Sequence, residues 1–149
     1  MDQETLSSEI LMQVVDGYWE TFPPLWHSIQ VHIRQVAAEQ FNITVEQYHI
    51  LRHIYRGCDS VSALANVRGI SRPAVSQAVE LLVARGLVAR TTNLQDRRHV
   101  KLDLTKDGNT LMHAISGDTR QWLMRKFAPL SADEIQGFVR SMEGLKKII

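Results

Sequence analysis

The order of elements between residues 71 and 104 constrains the fold of this chain more than any other feature. Residues 71–85 place apolar side chains at helical spacing, and Gly86 stands where such a helix would end. The segment 87–104 then shows two runs of alternating apolar and polar residues, typical of strands, joined by a polar turn. A short helix followed at once by a two-stranded hairpin predicts a winged helix-turn-helix.

The residues before this helix support the same prediction. A short helical pattern covers residues 61–67, and Gly69 permits the sharp turn that follows it. Ser71 can cap the next helix, and Pro73 fits its first turn because no intrahelical hydrogen bond is lost there.

The helix at residues 71–85 has two chemically different faces. We expect four apolar residues to face the core, namely Val75, Val79, Leu82 and Val83. The outer face then carries Arg72, Pro73, Ser76, Gln77 and Glu80. Short, polar and forked groups of this kind can reach base edges and phosphates, so the helix suits the major groove of DNA.

The hairpin carries a basic turn. Asp96, Arg97 and Arg98 lie between its strands, where they could reach a minor groove beside the helix. We expect alternate residues of the second strand to face the core, namely Val100, Leu102 and Leu104.

Charge is distributed unevenly along the chain. Residues 1–49 hold one basic and seven acidic residues, a net charge of −6. Residues 66–101 hold seven basic and two acidic residues, a net charge of +5. The positive charge therefore coincides with the helix and hairpin that would meet phosphates.

Helical patterns fill the remainder of the chain. Residues 4–22 carry an apolar stripe that the Pro23-Pro24 pair interrupts, so we expect a second helix from there to about residue 40. Thr44 and Gln47 form the pattern of a capping box. The helix that they open is expected to turn inward Tyr48, Leu51, Ile54 and Tyr55.

The C-terminal residues predict two further helices. One is expected to begin at Thr105, and the last follows a second capping box, formed by Ser131 and Glu134. This last helix presents Ile135, Phe138, Val139, Met142, Leu145 and Ile148.

These patterns predict a mainly α fold with a small β wing, in one domain of 149 residues. Residues 1–40 and 105–149 are expected to form dimerisation helices around the winged lobe at residues 44–104. The chain shows no apolar run of 18 residues and no leader, and Cys58 is its only cysteine. We therefore expect a soluble cytoplasmic protein without a membrane partner or a disulfide.

Both ends of the chain carry more apolar surface than a domain of this size needs for itself. Two-fold symmetry is the commonest way to bury such surface, so we expect the terminal helices of two chains to interlock as a homodimer. The alternative is that the same helices pack within one chain. A dimer would place two recognition helices about 34 Å apart and would read a pseudo-palindromic operator.

Several motifs resemble the MarR (multiple antibiotic resistance regulator) family of transcription factors. They are RGLVAR at residues 85–90, QDRRHV at 95–100, LTKDGN at 104–109 and the T-x-x-Q-Y pattern from Thr44 to Tyr48. The resemblance extends from about Leu25 to the C-terminus. It implies a DNA-binding transcriptional regulator, by default a repressor that a small effector releases from its operator.

The resemblance also implies roles for wing residues. The arginine at the position of Arg98 enters the minor groove, and the aspartate at the position of Asp96 orients it; the alternative is a salt bridge that only closes the wing. A carboxylate can hold a guanidinium by a forked hydrogen bond. The expected DNA-contacting residues are Ser71, Arg72, Pro73, Ser76, Gln77, Arg90, Asp96, Arg97 and Arg98.

Many members of that family bind small aromatic or phenolic acids in a cleft beside the DNA-binding lobe. Arg52 or His32 could hold the carboxylate of such an effector. The candidate pocket residues are Trp26, Ile29, His32, Tyr48, Leu51, Arg52 and Tyr55, although the same residues could be plain core.

Other triggers and other functions stay open as alternatives. His49 and His53, four residues apart on one helical face, could share a metal ion, although zinc normally requires three or four ligands. Redox sensing would use Cys58, but Asp59 beside it disfavours a thiolate. No phosphate loop or hydrolase motif is present, so we expect neither an enzyme nor a cofactor. A winged helix that docks on protein is the competing function.

Overall fold

The computed structural model has six helices and one two-stranded sheet in the residues that it describes. Backbone is described for residues 3–93 and 96–148, and side chains for residues within 7–91 and 100–148. In chain order the elements are α1 (Gln3–Phe41), α2 (Val45–Tyr55), α3 (Val61–Arg68), α4 (Arg72–Ala84), β1 (Val88–Asn93), β2 (Asp96–Leu104), α5 (Lys106–Phe127) and α6 (Ala132–Leu145). The predicted mainly α fold with a small β wing is confirmed.

The chain forms two compact units, one ending at Ile115 and the other beginning at Ser116, so α5 contributes to both. The first unit holds the hydrophobic core. Burial of apolar side chains is the main force that stabilises such a unit. Its largest fully buried side chains are Ile50, Leu51, Leu64, Val75, Val79, Leu82, Val88, Leu102 and Ile115.

In the second unit, the predicted capping box at the start of α6 is present. The Ser131 backbone amide donates to Glu134 Oε2 at 2.8 Å, and the Glu134 amide donates to Ser131 Oγ at 3.3 Å. The rings of Phe127 and Phe138 lie 5.5 Å apart. The apolar face of α6 is otherwise largely exposed, including Val139 and Met142.

The predicted break at the Pro23-Pro24 pair is wrong. α1 is one helix of 39 residues with both prolines inside it. Each proline has a helical φ, although it removes its own amide donor and its ring crowds the carbonyl four residues earlier. The helical turns on either side keep their hydrogen bonds. Within the described residues, no helix combines the length and the apolar character that a membrane-spanning segment requires.

The helix α2 begins as predicted but differs from the prediction at its end. Thr44 and Gln47 form the capping box, with amide-to-side-chain distances of 2.9 and 3.1 Å. Tyr55, expected to face inward, is 54% exposed. It is the last residue of α2 and lies at the edge of the core, where its ring meets the His113 ring edge-on at 5.3 Å between centroids.

Candidate nucleic-acid interface

The orientation of α4 is set by its buried stripe. Val75, Val79 and Leu82 have no exposed surface, as the sequence pattern predicted, and Val83 packs against them. These side chains follow helical spacing, so they hold one side of α4 against the core and turn the opposite side outward.

The outward side of α4 carries most of the predicted DNA-contacting residues of this helix. Ser71, Arg72, Pro73 and Gln77 are all exposed. Ser76 is half-buried, which corrects the expectation that it faces outward, because it lies beside the stripe that Val79 continues. The exposed N-terminal half of α4 therefore presents a guanidinium and an amide to solvent.

The beginning of α4 is fixed by a tight turn after α3. Gly69 ends α3 with a φ of 64°, in the left-handed region that glycine adopts without strain. The amide of Ile70 returns to the Ala65 carbonyl at 3.2 Å, and Ser71 Oγ accepts from the Ala74 amide at 3.4 Å. Ser71 thus caps the start of α4, and Arg72 and Pro73 follow as its first residues.

The wing is joined to the core at its base. β1 and β2 pair antiparallel, with Val88 opposite Leu104, and the Leu102 amide donates to the Asp59 carbonyl at 2.8 Å. Leu102 is buried, but Val100, expected to face the core, is 40% exposed. Val100 lies two residues farther toward the wing tip, so the alternation continues past the edge of the core.

Two contacts attach the wing to its neighbours in the chain. Arg90 of β1 approaches Glu80 of α4 at 3.9 Å, a long and exposed ion pair that contributes little to stability. At the other end of the wing, Thr105 Oγ1 donates to the Gly86 carbonyl and accepts from the Gly108 amide at 3.0 Å. Arg90 is thus exposed on the wing strand and close to α4.

The prediction that Asp96, Arg97 and Arg98 form the turn of the wing is wrong, because β2 already begins at Asp96 and the connection between the strands is shorter. Residues 96–99 belong to β2 in backbone, and the pairing of the two strands shifts between Thr92 and Asn93. The side chains of Asp96, Arg97 and Arg98 lie outside the described residues, so their expected geometry stays a prediction.

Three cations of the basic segment are engaged within the protein, which the sequence analysis missed. Arg68 donates to both carboxylate oxygens of Glu46, at 2.7 and 3.2 Å. Lys101 pairs with Asp103 at 2.9 Å, and Arg85 donates to backbone carbonyls of residues 41 and 42. The charge available to phosphates is therefore smaller than the net charge of the segment indicates.

The two histidines of α2 lie in a polar cluster between helices. His49 is buried, and its Nε2 is 3.0 Å from Gln30 Oε1 of α1. Burial lowers the pKa of His49, and the positive charge of Arg68 lowers it further. Burial and Arg68 also lower the pKa of His53. Among the described residues, no group of three or more His, Cys, Asp or Glu is arranged to hold a metal ion.

The residues predicted for an effector pocket differ widely in exposure. Leu51 and Tyr48 are core, whereas Trp26 and Tyr55 are more than half exposed. Ile29, His32 and Arg52 are half-buried. A cavity of about 360 Å³ lies elsewhere, at the junction of α1 and α2, lined by Arg34, Ala38, Asn42, Ile43, Thr44 and Val45.

Comparison with known proteins gives consistent matches. Residues 41–99 match the model of the MarR family, and this stretch includes α2, α3, α4 and β1. The uncharacterized HTH-type transcriptional regulator YhbI of Bacillus subtilis (strain 168) is 27% identical over 116 residues, which cover 77% of this chain and 75% of the relative.

Solved structures show the same fold. The transcriptional regulator Tm0710 from Thermotoga maritima is 22% identical, with a TM-score of 0.75 over 89% of this chain and 94% of that one. RV1404 from Mycobacterium tuberculosis is 23% identical, with a TM-score of 0.75 over 92% of each chain. A mutant of MepR from Staphylococcus aureus, bound to an oligodeoxyribonucleotide, is 23% identical, with a TM-score of 0.66 over 87% of this chain and 96% of that one.

Proposed function

We propose that this chain, whose residues 41–99 match the model of the MarR family, is a MarR-type transcriptional regulator that binds double-stranded DNA sequence-specifically as a homodimer. The observation that carries this proposal is the exposed N-terminal half of α4. Arg72 and Gln77 stand outside a helix whose opposite side is fully buried. An arginine and a glutamine are suited to guanine and adenine edges in the major groove.

The wing is proposed to contact the DNA beside this helix. Arg90 is exposed on β1 near α4, and Arg97 and Arg98 belong to the first residues of β2. We assign Arg98 to the minor groove and Asp96 to its orientation. Narrow A·T-rich minor grooves attract an arginine because their negative potential is enhanced.

The second copy is proposed to cover the N-terminal part of α1. Seven exposed apolar side chains there span about 200° of the helix circumference at 100° per residue. They are Ile10, Leu11, Met12, Val14, Val15, Tyr18 and Trp19. A face this wide exceeds what one packed neighbour covers, so it fits a pair of copies that interlock around a two-fold axis.

Control of transcription would follow from occupancy of the operator. We propose a repressor that binds a pseudo-palindromic site and that a small aromatic or phenolic acid releases. Arg52 and His32, both half-buried, are the side chains we assign to the carboxylate of such an effector. Screening such acids for release of the protein from its operator would identify the effector.

Selection of bound duplexes from a random pool tests DNA binding directly. The affinity of the selected duplex should exceed that of a shuffled duplex by at least about a thousandfold. It should also fall by more than about tenfold between about 50 and 200 mM salt, because phosphates release counterions when they are bound. No enrichment and a flat salt titration would instead favour the protein-docking alternative.

A further inference from the structure

The carboxyl end of α1 lacks a cation of its own. No basic residue lies in its last turn, although the last carbonyls of any helix have no intrahelical donor and carry partial negative charge. Asn42 then turns the chain with a φ of 51°. The Asn42 and Ile43 amides donate back to the Ala38 and Ala37 carbonyls, at 3.2 and 3.0 Å. These local bonds leave the carbonyls of Phe41 and Asn42 for another donor.

Arg85 supplies that donor from the far end of the recognition helix. Its Nη1 donates to the Asn42 carbonyl at 2.5 Å, and its Nη2 donates to the Phe41 carbonyl at 2.8 Å. The planar fork of a guanidinium matches two neighbouring carbonyls, which the single ammonium of lysine does not. We call this pair of bonds the Arg85 clamp.

The backbone around Arg85 is itself held firmly. Arg85 is the C-cap of α4, and its amide donates to the Leu81 carbonyl at 3.1 Å. Two residues later, the Leu87 amide donates to the Leu82 carbonyl at 2.9 Å, and both of these leucines are buried. The clamp therefore connects the rigid end of α4 to the end of α1 without a flexible linker.

We propose that Arg85 is a positioning residue that fixes the angle of α4 relative to α1. This inference rests on the proposed function, in which α1 carries the dimer interface and α4 reads DNA. The thirteen residues of α4 span about 20 Å at 1.5 Å per residue, so a small rotation at the clamped end displaces the DNA-reading end most. Through the clamp, the α1 helices of a dimer would determine the spacing between the two recognition helices.

The test uses three duplexes and the full-length protein. They are the selected operator, the same operator with one base pair inserted between its half-sites, and a random duplex. Wild-type protein should prefer the first over the second by about a hundredfold, since misplaced half-sites lose specific contacts. In Arg85→Ala this preference should fall at least about fivefold, while affinity for the random duplex stays within about twofold.

Two further variants complete the test. Arg85→Lys keeps the charge but loses the fork, so it should fall between wild type and Arg85→Ala; it also replaces Arg85→Ala if that variant fails to fold by circular dichroism. Arg56→Ala, which removes an exposed arginine at the end of α2, should leave the preference unchanged.

Other outcomes overturn the inference in distinguishable ways. An unchanged spacing preference in folded Arg85→Ala and Arg85→Lys would refute the clamp and leave the proposed function intact. Equal losses on all three duplexes would make Arg85 a phosphate contact instead. Absence of duplex binding by wild-type protein would refute the proposed function, and the clamp's role would fail with it.

Discussion

Gly108 of α5 and Leu87 at the base of the wing approach so closely that a β-carbon on residue 108 would overlap the Leu87 carbonyl oxygen. The glycine of the LTKDGN motif is therefore required by packing. It lets α5 lie directly against the chain between α4 and β1.

Replacing Gly108 with alanine should lower the free energy of unfolding by about 1–3 kcal/mol, because backbone atoms must move to admit the methyl group. Urea denaturation measures this change. Gly117→Ala is the matched control in the same helix, where a β-carbon meets nothing within 4 Å. That control should be about 0.5–1 kcal/mol more stable, since alanine is the better helix former. Equal effects of both variants would refute the packing argument.

The unfolding free energy should decrease as the pH falls from about 7 to about 5.5, through the ordinary histidine pKa of about 6.5. Burial lowers the pKa of His49 in the folded protein, so the unfolded chain binds the proton first and acid favours unfolding. Above this range the contribution of neutral His49 is fully present.

Replacement of His49 by glutamine should flatten the pH dependence of the unfolding free energy, because the buried titrating group is removed. The neutral amide can still hydrogen-bond to Gln30. His53→Gln should flatten it less, since His53 is more exposed than His49. Arg68, Arg52 and Glu46 also act on both histidines and remain in both variants. Denaturant titrations at several pH values give the slope of the unfolding free energy against pH for each variant. A His49→Gln slope equal to that of wild type would contradict this explanation.

Gln77→Ala should reduce discrimination between the selected and random duplexes by about 1–3 kcal/mol, because an amide on the outer face of α4 reads base edges. Fluorescence anisotropy on both duplexes measures the difference. Gln35→Ala, an exposed glutamine of α1, serves as the control and should change neither affinity. Parallel losses on both duplexes would show that Gln77 does not read sequence.

Arg98→Ala should weaken operator binding by about 1–3 kcal/mol, in keeping with a groove contact. Arg97→Ala removes the same charge one residue away and should cost less, since only Arg98 is assigned to the minor groove. The losses should grow when the flanking sequence is rich in A·T pairs. Gel shifts measure the operator affinity of both variants. Identical losses of affinity would indicate that each arginine acts only through its charge.

Val15→Glu and Trp19→Glu should shift the protein toward monomers, because each places a charge in the exposed apolar face of α1. Gln13→Glu adds the same charge on the polar side of this helix and should leave the mass unchanged. Sedimentation at several concentrations gives the mass of each variant. A wild-type monomer at every concentration would refute the proposed dimer.

Local patterns in the sequence predicted most of the fold. The capping boxes at Thr44 and Ser131, the turn at Gly69 and the buried stripe of α4 depend on residues near one another in the chain, so spacing alone reveals them. The prediction failed at the Pro23-Pro24 pair, where a local rule about proline was outweighed by the helical turns on both sides.

Contacts between distant residues could not be predicted in this way. Arg85 meets Phe41 across 44 residues, and Arg68 meets Glu46 across 22. Each arginine looked like part of a DNA-binding surface because only its charge was visible in the sequence. The partners depend on how the helices pack, and no spacing rule encodes that.

The two prolines within α1 leave the carbonyls of Trp19 and Glu20 without the amide donors that an unbroken helix would give them. A bend at this position therefore breaks fewer hydrogen bonds than a bend elsewhere in α1. Replacing both prolines with alanine would restore those two donors and stiffen α1 between the face proposed to meet a second copy and the end that Arg85 holds.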